Sequence, residues 1–207
     1  MPNNPPDHAL AKYENVILAS KSPRRSDILG EHGVKALIMP GDVDESLPPG
    51  ISFVDAVKML SYKKALATAT RPDIEEVKGL SLIIAADTVV YKDEIMGKPK
   101  DAEDAFRMLS SLRASKHCVA SGVTLIEIKD GAPRLDDVKS FVEITEIVCG
   151  DYSDEEINEY IATGEPFDKA GSYAIQGGFR KHISEFRGDY ENVVGLPYNR
   201  MIAELAK

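Results

Sequence analysis

Two adjacent arginines, Arg24 and Arg25, follow Ser20-Lys21-Ser22-Pro23, in which Ser22 and Pro23 are the types expected at a helix N-cap and first turn. Arginine at that end opposes the helix dipole, so a helix tuned for stability alone would carry Asp or Glu there. The pair suits a site completed by something negative, such as a polyphosphate held by guanidinium groups and free N–H groups. The plain alternative is a solvated pair on an ordinary helix. Asp87 ends the apolar run Ser81–Ala86, the place where α/β proteins expose functional groups, and it could bind a divalent metal or activate water. A carboxylate bonded to a local loop fits the same pattern.

Asp42, Asp44 and Glu45 lie within one short stretch, an oxygen-rich set of the kind magnesium prefers, although surface acids are common. Lys98, between Gly97 and Pro99, sits on a tight loop that can aim an ammonium at phosphate, with Lys64 as a helper. Asp168-Lys169-Ala170-Gly171 leads to Ile175-Gln176-Gly177, and the Gln176 amide can both donate to and accept from a base edge. The histidines at 8, 32, 117 and 182 have no metal-ligand spacing. No GxxxxGK[ST], GxSxG or GxGxxG motif occurs, which removes the common kinase, esterase and dehydrogenase readings. What remains is metal-assisted attack of water on a phosphate.

These residues need a scaffold, and the hydrophobic pattern supplies one. Strands are expected at Asn15–Ala19, Ala36–Pro40, Ser81–Ala86, Cys118–Ile128, Val138–Val148 and Lys181–Phe186, with a hairpin over Thr88–Met96 around Lys92-Asp93. Helices are expected from Ser22-Pro23 to about Gly30 or Gly33, over Phe53–Ala69, after Asp101, from the Ser153–Glu156 capping box to Gly164, and from Pro197 to Leu205. Arg71–Gly79 reads as a polar loop. Strands and helices interleave, so the fold class is α/β with a mixed β-sheet and flanking helices.

Composition limits the partners. The chain has 207 residues, 43% hydrophobic and 29% charged, enough to bury a sizeable core. Its formal charge of −9 argues against a nucleic-acid polymer, but not against a small anion that meets a few local cations. No apolar run is long enough to span a bilayer, so no membrane partner is expected, and residues 1–14 read as a flexible lead-in rather than a signal peptide. A cytoplasmic protein is expected. The two cysteines, Cys118 and Cys149, read as small apolar core residues.

Taken together, the segments Leu18–Arg25, Asp42–Glu45, Ala86–Val90, Gly97–Pro99, Asp168–Gly171, Ile175–Gly177 and Asn192–Pro197 resemble, in order, the Maf family of nucleotide pyrophosphatases. The resemblance implies a single Maf-like α/β domain over 15–207, like the inosine-triphosphate pyrophosphatases, with two lobes around a cleft. It implies cleavage of a nucleoside triphosphate between the α and β phosphates with a divalent cation, Mg or Mn. Asp87 falls on the family's proton-acceptor position, and Arg24, Thr88 and Gln176 fall on those that separate its subfamilies. Arg, Thr and Gln there look like the branch acting on dTTP and UTP rather than on 7-methyl-GTP. Catalytic roles are thus expected for Asp87, Lys98 and Arg25. Substrate binding is expected of Ser20, Ser22, Arg24, Arg25, Lys64, Thr88, Lys98, Asp168, Lys169 and Gln176, and metal binding of Glu45, Asp87 and Asp44. The family also suggests a homodimer and, as an alternative to catalysis, a nucleotide-binding regulator of cell division. Ala174, where glycine is commoner, the basic run Gly178–His182 and a long Arg71–Gly79 segment depart from the family pattern.

Overall fold

The continuous apolar runs at Val16–Leu18 and Ser81–Ala86 become buried strands, while the run at Ala36–Ile38 forms a partly exposed one. The structure, a computed structural model, describes residues 9–207. Strand β1 (Asn15–Leu18) leads to helix α1 (Pro23–Glu31), strand β2 (Ala36–Ile38), helix α2 (Phe53–Ala69) and the long strand β3 (Leu80–Lys92). β1 pairs parallel with both β2 and β3, in register Val16↔Ala36 and Val16↔Leu82. The two helices are therefore the crossovers that parallel strands require.

β3 runs on past the expected end at Ala86 and turns at Asp93 (φ 60°) into β4 (Glu94–Met96), which makes the expected hairpin. Helix α3 (Ala102–Leu112) follows, capped by Asp101, whose carboxylate accepts from the Asp104 N–H at 2.8 Å. Then come β5 (Lys116–Lys129), the short β6 (Ala132–Pro133), β7 (Lys139–Cys149), helix α4 (Asp154–Ala162), β8 (Ile183–Arg187), α5 (Tyr190–Val194) and α6 (Tyr198–Leu205). The strand order is β2-β1-β3-β5-β7-β8, with β4 beside β3 and β6 beside β5. The architecture is the mixed α/β sheet with flanking helices that the periodicity predicts.

The chain forms two compact units. The first comprises the described residues through Asp87, Ser121–Glu143 and Gly195–Lys207, and the second Thr88–Ala120 and Ile144–Val194. β3, β5 and β7 each pass from one unit into the other. In the first unit Ile17, Ile83, Ala85, Ile126 and Ile128 pack against Ala65 and Ala69 of α2 and against Ile74. A buried hydroxyl relay, Ser61–Thr124–Ser140 at 2.9 and 3.0 Å, fixes α2 to β5 and β7. Gly122 allows the closest approach, since a Cβ there would lie 2.3 Å from the Val57 carbonyl oxygen. The second unit is built around Phe179, ringed by Tyr152, Tyr160, Tyr173 and His182.

Several local readings change. Arg71–Gly79 contains a 3-10 turn, Pro72–Glu76, with Ile74 buried and Arg71 donating in a bidentate fork to Asp73. The segment before β8 forms another, Gly178–His182, because Phe179 and His182 turn inward; the strand therefore begins at Ile183 rather than Lys181. α5 has no counterpart in the sequence reading. Its start is made by Asp189, whose carboxylate accepts from the Glu191 and Asn192 N–H groups. Of the expected lead-in, residues 1–8, including His8, lie outside the described residues, while Leu10 and Tyr13 are buried and Tyr13 donates to Glu127. Cys149 is buried and its thiol is pushed up to about 12 by that burial; Cys118 is half-buried. Among the described residues no helix is long and apolar enough to cross a membrane.

Candidate active site

In the first unit the site starts where β1 stops. Ala19 and Ser20 lead into α1, whose N-cap Ser22 is extended (φ −69°, ψ 116°) but does not cap the helix with its hydroxyl. Its own N–H instead donates to Ser20 Oγ at 3.2 Å. No acid lies in the first turn, which instead carries Arg24 and Arg25. That arrangement favours an incoming anion at the positive end of the dipole.

Arg25 is oriented by two acceptors. Its Nη1 donates to Ser20 Oγ and its Nε to the Gly195 carbonyl, both at 2.9 Å. Burial lowers the guanidinium's pKa from its ordinary value, opposed by the Asp87 carboxylate and reinforced by Arg24. A guanidinium remains protonated under those influences, so Arg25 is a fixed cation.

Helix α2 brings Lys64 to Asp87. Lys64 Nζ lies 2.6 Å from Asp87 Oδ1 and 2.8 Å from Glu45 Oε1. Asp87 is 8% exposed, whereas Glu45 is open to solvent. One ammonium thus holds two carboxylates that are distant in sequence. Asp44 is engaged elsewhere: its carboxylate accepts from the Ser46 N–H and hydroxyl at 2.9 and 2.7 Å. Those bonds, the hydroxyl's first, hold it below the usual carboxylate range. Of the three acids expected to bind metal, the structure therefore brings Glu45 and Asp87 together and turns Asp44 to its own loop. Among the described residues no three His, Cys, Asp or Glu side chains form a group able to hold a metal ion unaided. Two carboxylate oxygens already shared by one cation are nevertheless a fitting donor pair for magnesium, which takes one or two carboxylates and completes its shell with water and phosphate oxygens.

The remaining predicted residues belong to the second unit. Thr88 is half-buried in β3. Lys98 is exposed on the Gly97–Pro99 loop, whose Pro99 is buried. That loop is tied to the Asp168–Gly171 segment, because the Gly171 N–H donates to the Gly97 carbonyl at 3.0 Å. Only glycine suits position 171: φ is +65°, and a Cβ would lie 2.6 Å from Val90 Cγ2. Lys169 Nζ pairs with Asp168 at 2.5 Å and donates to the Glu165 carbonyl at 2.7 Å. Gln176 is exposed on the turn closed by the Gly177 N–H to the Ala174 carbonyl at 3.2 Å.

Sequence reasoning missed two supports of these residues. One is the Gly195 carbonyl under Arg25; the other is Glu165, described below. Neither has a local signature, since each acts on a partner remote in sequence or through the backbone. Asn192, quoted only as part of a motif, is fully buried and donates to the Val119 carbonyl and Thr145 Oγ1, both at 3.0 Å, a structural role.

Known proteins are similar to this chain along nearly its whole length. The profile described as Maf-like protein matches residues 15–207. A dTTP/UTP pyrophosphatase of Acetivibrio thermocellus is 43% identical over 187 residues, covering 90% of this chain and 91% of that protein. The dTTP/UTP pyrophosphatase of Geobacter sp. (strain M21) is 40% identical over 195 residues, covering 94% and 95%. That of Syntrophotalea carbinolica is 43% identical over 209 residues, covering 100% and 89%. A dITP/XTP pyrophosphatase from Mycobacterium abscessus is similar only at a TM-score of 0.38 and 13% identity, over 93% of this chain and 94% of that one, too loose a likeness to argue from. With the profile spanning nearly all of the described chain and relatives this similar along their length, the chain belongs to the Maf-like protein family.

Proposed function

We propose that this protein hydrolyses dTTP and UTP to the monophosphate and pyrophosphate with the help of a divalent cation. The observation that carries the reading is the Asp87–Lys64–Glu45 arrangement beside Arg25: a nearly buried acid within hydrogen-bond reach of a lysine, in surroundings rich in fixed cations. The relatives' shared name, dTTP/UTP pyrophosphatase, supports the choice of substrate.

In this reading Asp87 takes a proton from the water that attacks the α-phosphorus, the bond from that phosphorus to the bridging oxygen breaks, and pyrophosphate leaves with the bonding electrons. A triphosphate brings about four negative charges, and charge grows on the leaving group as the bond breaks. Arg24, Arg25, Lys64 and Lys98 supply the compensating cations, with Ser20 and Ser22 as hydroxyl partners. Glu45 and Asp87 would hold Mg or Mn, which when bound would draw electron density from the phosphoryl oxygens. Lys64, which pairs with both carboxylates, is the ammonium at that end of the site. Thr88 and Gln176 read the base, Gln176 through uracil or thymine O4 and N3–H; Asp168 and Lys169 are further substrate contacts.

The same proposal includes a cytoplasmic homodimer that clears free nucleotides and does not act on nucleic-acid polymers or at membranes. The test is pyrophosphate release from dTTP, UTP, GTP and 7-methyl-GTP with magnesium. Turnover concentrated in dTTP and UTP supports the reading. Release of inorganic phosphate alone, binding without turnover, or a preference for 7-methyl-GTP overturns it.

A further inference from the structure

One carboxylate in the second unit brackets the whole Gln176 turn. Glu165 Oε2 accepts from the Gly178 N–H at 3.1 Å, on the far side of Gln176. Its other oxygen accepts from the Tyr160 hydroxyl at 2.9 Å, and that hydroxyl in turn accepts from the Ala174 N–H at 3.3 Å, on the near side. Residues 174–178 are thus held at one end by Glu165 directly and at the other through Tyr160. The fit leaves no slack: a Cβ on Gly177 would lie 1.6 Å from Glu165 Oε1. Tyr160 is buried, and burial together with Glu165 raises its pKa above the ordinary phenol value, so it stays a hydroxyl and keeps donating. The backbone of Glu165 is held as well, by Thr163 Oγ1 at its N–H and by Lys169 Nζ at its carbonyl. Gln176 itself points to solvent on a turn whose own closure is one 3.2 Å bond.

A three-to-four-residue turn with an exposed amide at its tip has no means of fixing that amide's distance from a ligand. The clamp supplies it. We propose that Glu165, acting with Tyr160, is a positioning residue that sets the presentation of Gln176 and so controls discrimination between pyrimidine and purine triphosphates. This rests on the proposed pyrophosphatase activity and on Gln176 as the base reader. Glu165 touches backbone amides and a tyrosine, not substrate, so its removal acts on affinity and base choice more than on the chemical step.

Steady-state kinetics on UTP and GTP for Glu165→Ala, Glu165→Gln, Gln176→Ala and the Glu165→Ala/Gln176→Ala double variant test it, with thermal melting of each protein. Glu165→Ala is expected to raise KM for UTP by about ten-fold, the scale of one lost bond to a charged acceptor, with a smaller change in kcat. The UTP-to-GTP ratio of kcat/KM is expected to narrow by a similar factor. Glu165→Gln keeps an acceptor for the Gly178 N–H and is expected to recover most of both. The double variant is expected to be no worse than Gln176→Ala alone, because the two residues act in series.

A purely structural role predicts a lower melting temperature and lower kcat with KM and the base ratio unmoved, and that result overturns the proposal. Additive losses in the double variant overturn it too. If the wild-type protein releases no pyrophosphate from any triphosphate, it is the activity that fails; tritiated or fluorescent UTP binding, compared across the same four proteins, then still reads the clamp directly.

Discussion

Replacing Asp87 with Asn separates the acid's chemistry from its place in the fold. Asn is isosteric, so the 8% exposed position remains filled, and its amide oxygen can still accept from Lys64. The Coulomb attraction lost is on the order of 6 kcal/mol for charges 2.6 Å apart at an effective dielectric near 20. Desolvating both ions had already offset most of that. Lys64 also keeps Glu45 at 2.8 Å, so the ammonium is not stranded. A net loss of roughly 1–2 kcal/mol is left, which lowers the melting temperature by about 2–8 °C in a domain of this size. Turnover suffers more, since loss of a general base costs about 10²–10⁴-fold. Pyrophosphate release at saturating UTP and a thermal melt, both on Asp87→Asn, measure the two effects. Turnover within about three-fold of wild type would refute the base assignment. A melting temperature collapsing by far more than this estimate would show that the charge, rather than the shape, holds the middle of β3.

Further consequences follow from other contacts. Glu45→Gln is expected to raise the magnesium concentration needed for half-maximal turnover by roughly 10-fold or more while leaving the melt nearly unchanged, because Glu45 is exposed and contributes a ligand rather than packing; chelation of the metal is expected to abolish turnover in wild type. Gly171→Ala is expected to destabilise by about 1–3 kcal/mol, from left-handed backbone strain and a 2.6 Å clash with Val90, and to weaken UTP binding by loosening the Lys98 loop; melting and KM measured together check it. Glu127 is held at about 2 by Lys12 first and Tyr13 second. Its depressed pKa stabilises the fold fully above the unfolded carboxylate's ordinary range and stops doing so as pH falls through about 2. Between pH 5 and 2 the wild-type melting temperature should therefore fall more steeply than that of Glu127→Gln, and equal slopes would contradict a stabilising role for the Lys12 and Tyr13 bonds to Glu127.

Much of the fold was legible because local physics decides it. The helices starting at Asp101 and Ser153 announce themselves by caps that the structure contains, the latter with both halves of its box at 3.3 and 2.9 Å. The apolar run at Ser81–Ala86 is a buried strand, as a short, β-branched-containing run covered on both faces is expected to be. The hairpin turn at Lys92-Asp93 follows from a similar short-range signal, whereas the order of the strands in the sheet is set by long-range pairing that no local pattern carries. Elements shaped by burial of one or two side chains were not legible: Phe179 and His182 pull their segment into a 3-10 turn, and Ile74 does the same for a stretch that reads as polar loop.

The residue types that could handle phosphate, and their order along the chain, are properties of the sequence alone. Tertiary structure decided their partners. That Lys64 takes Glu45 and Asp87 while Asp44 turns to Ser46 depends on where α2 docks, through Gly122 and the Ser61–Thr124–Ser140 relay, and no spacing encodes it. Glu165 reaching Gly178, beyond the span of its own turn, is likewise settled by packing rather than by a capping or periodic signal. Sequence patterns report periodicity and capping, whose range is a few residues; a side chain's charge partner is set by packing between segments tens of residues apart, and that information exists only once the chain has folded.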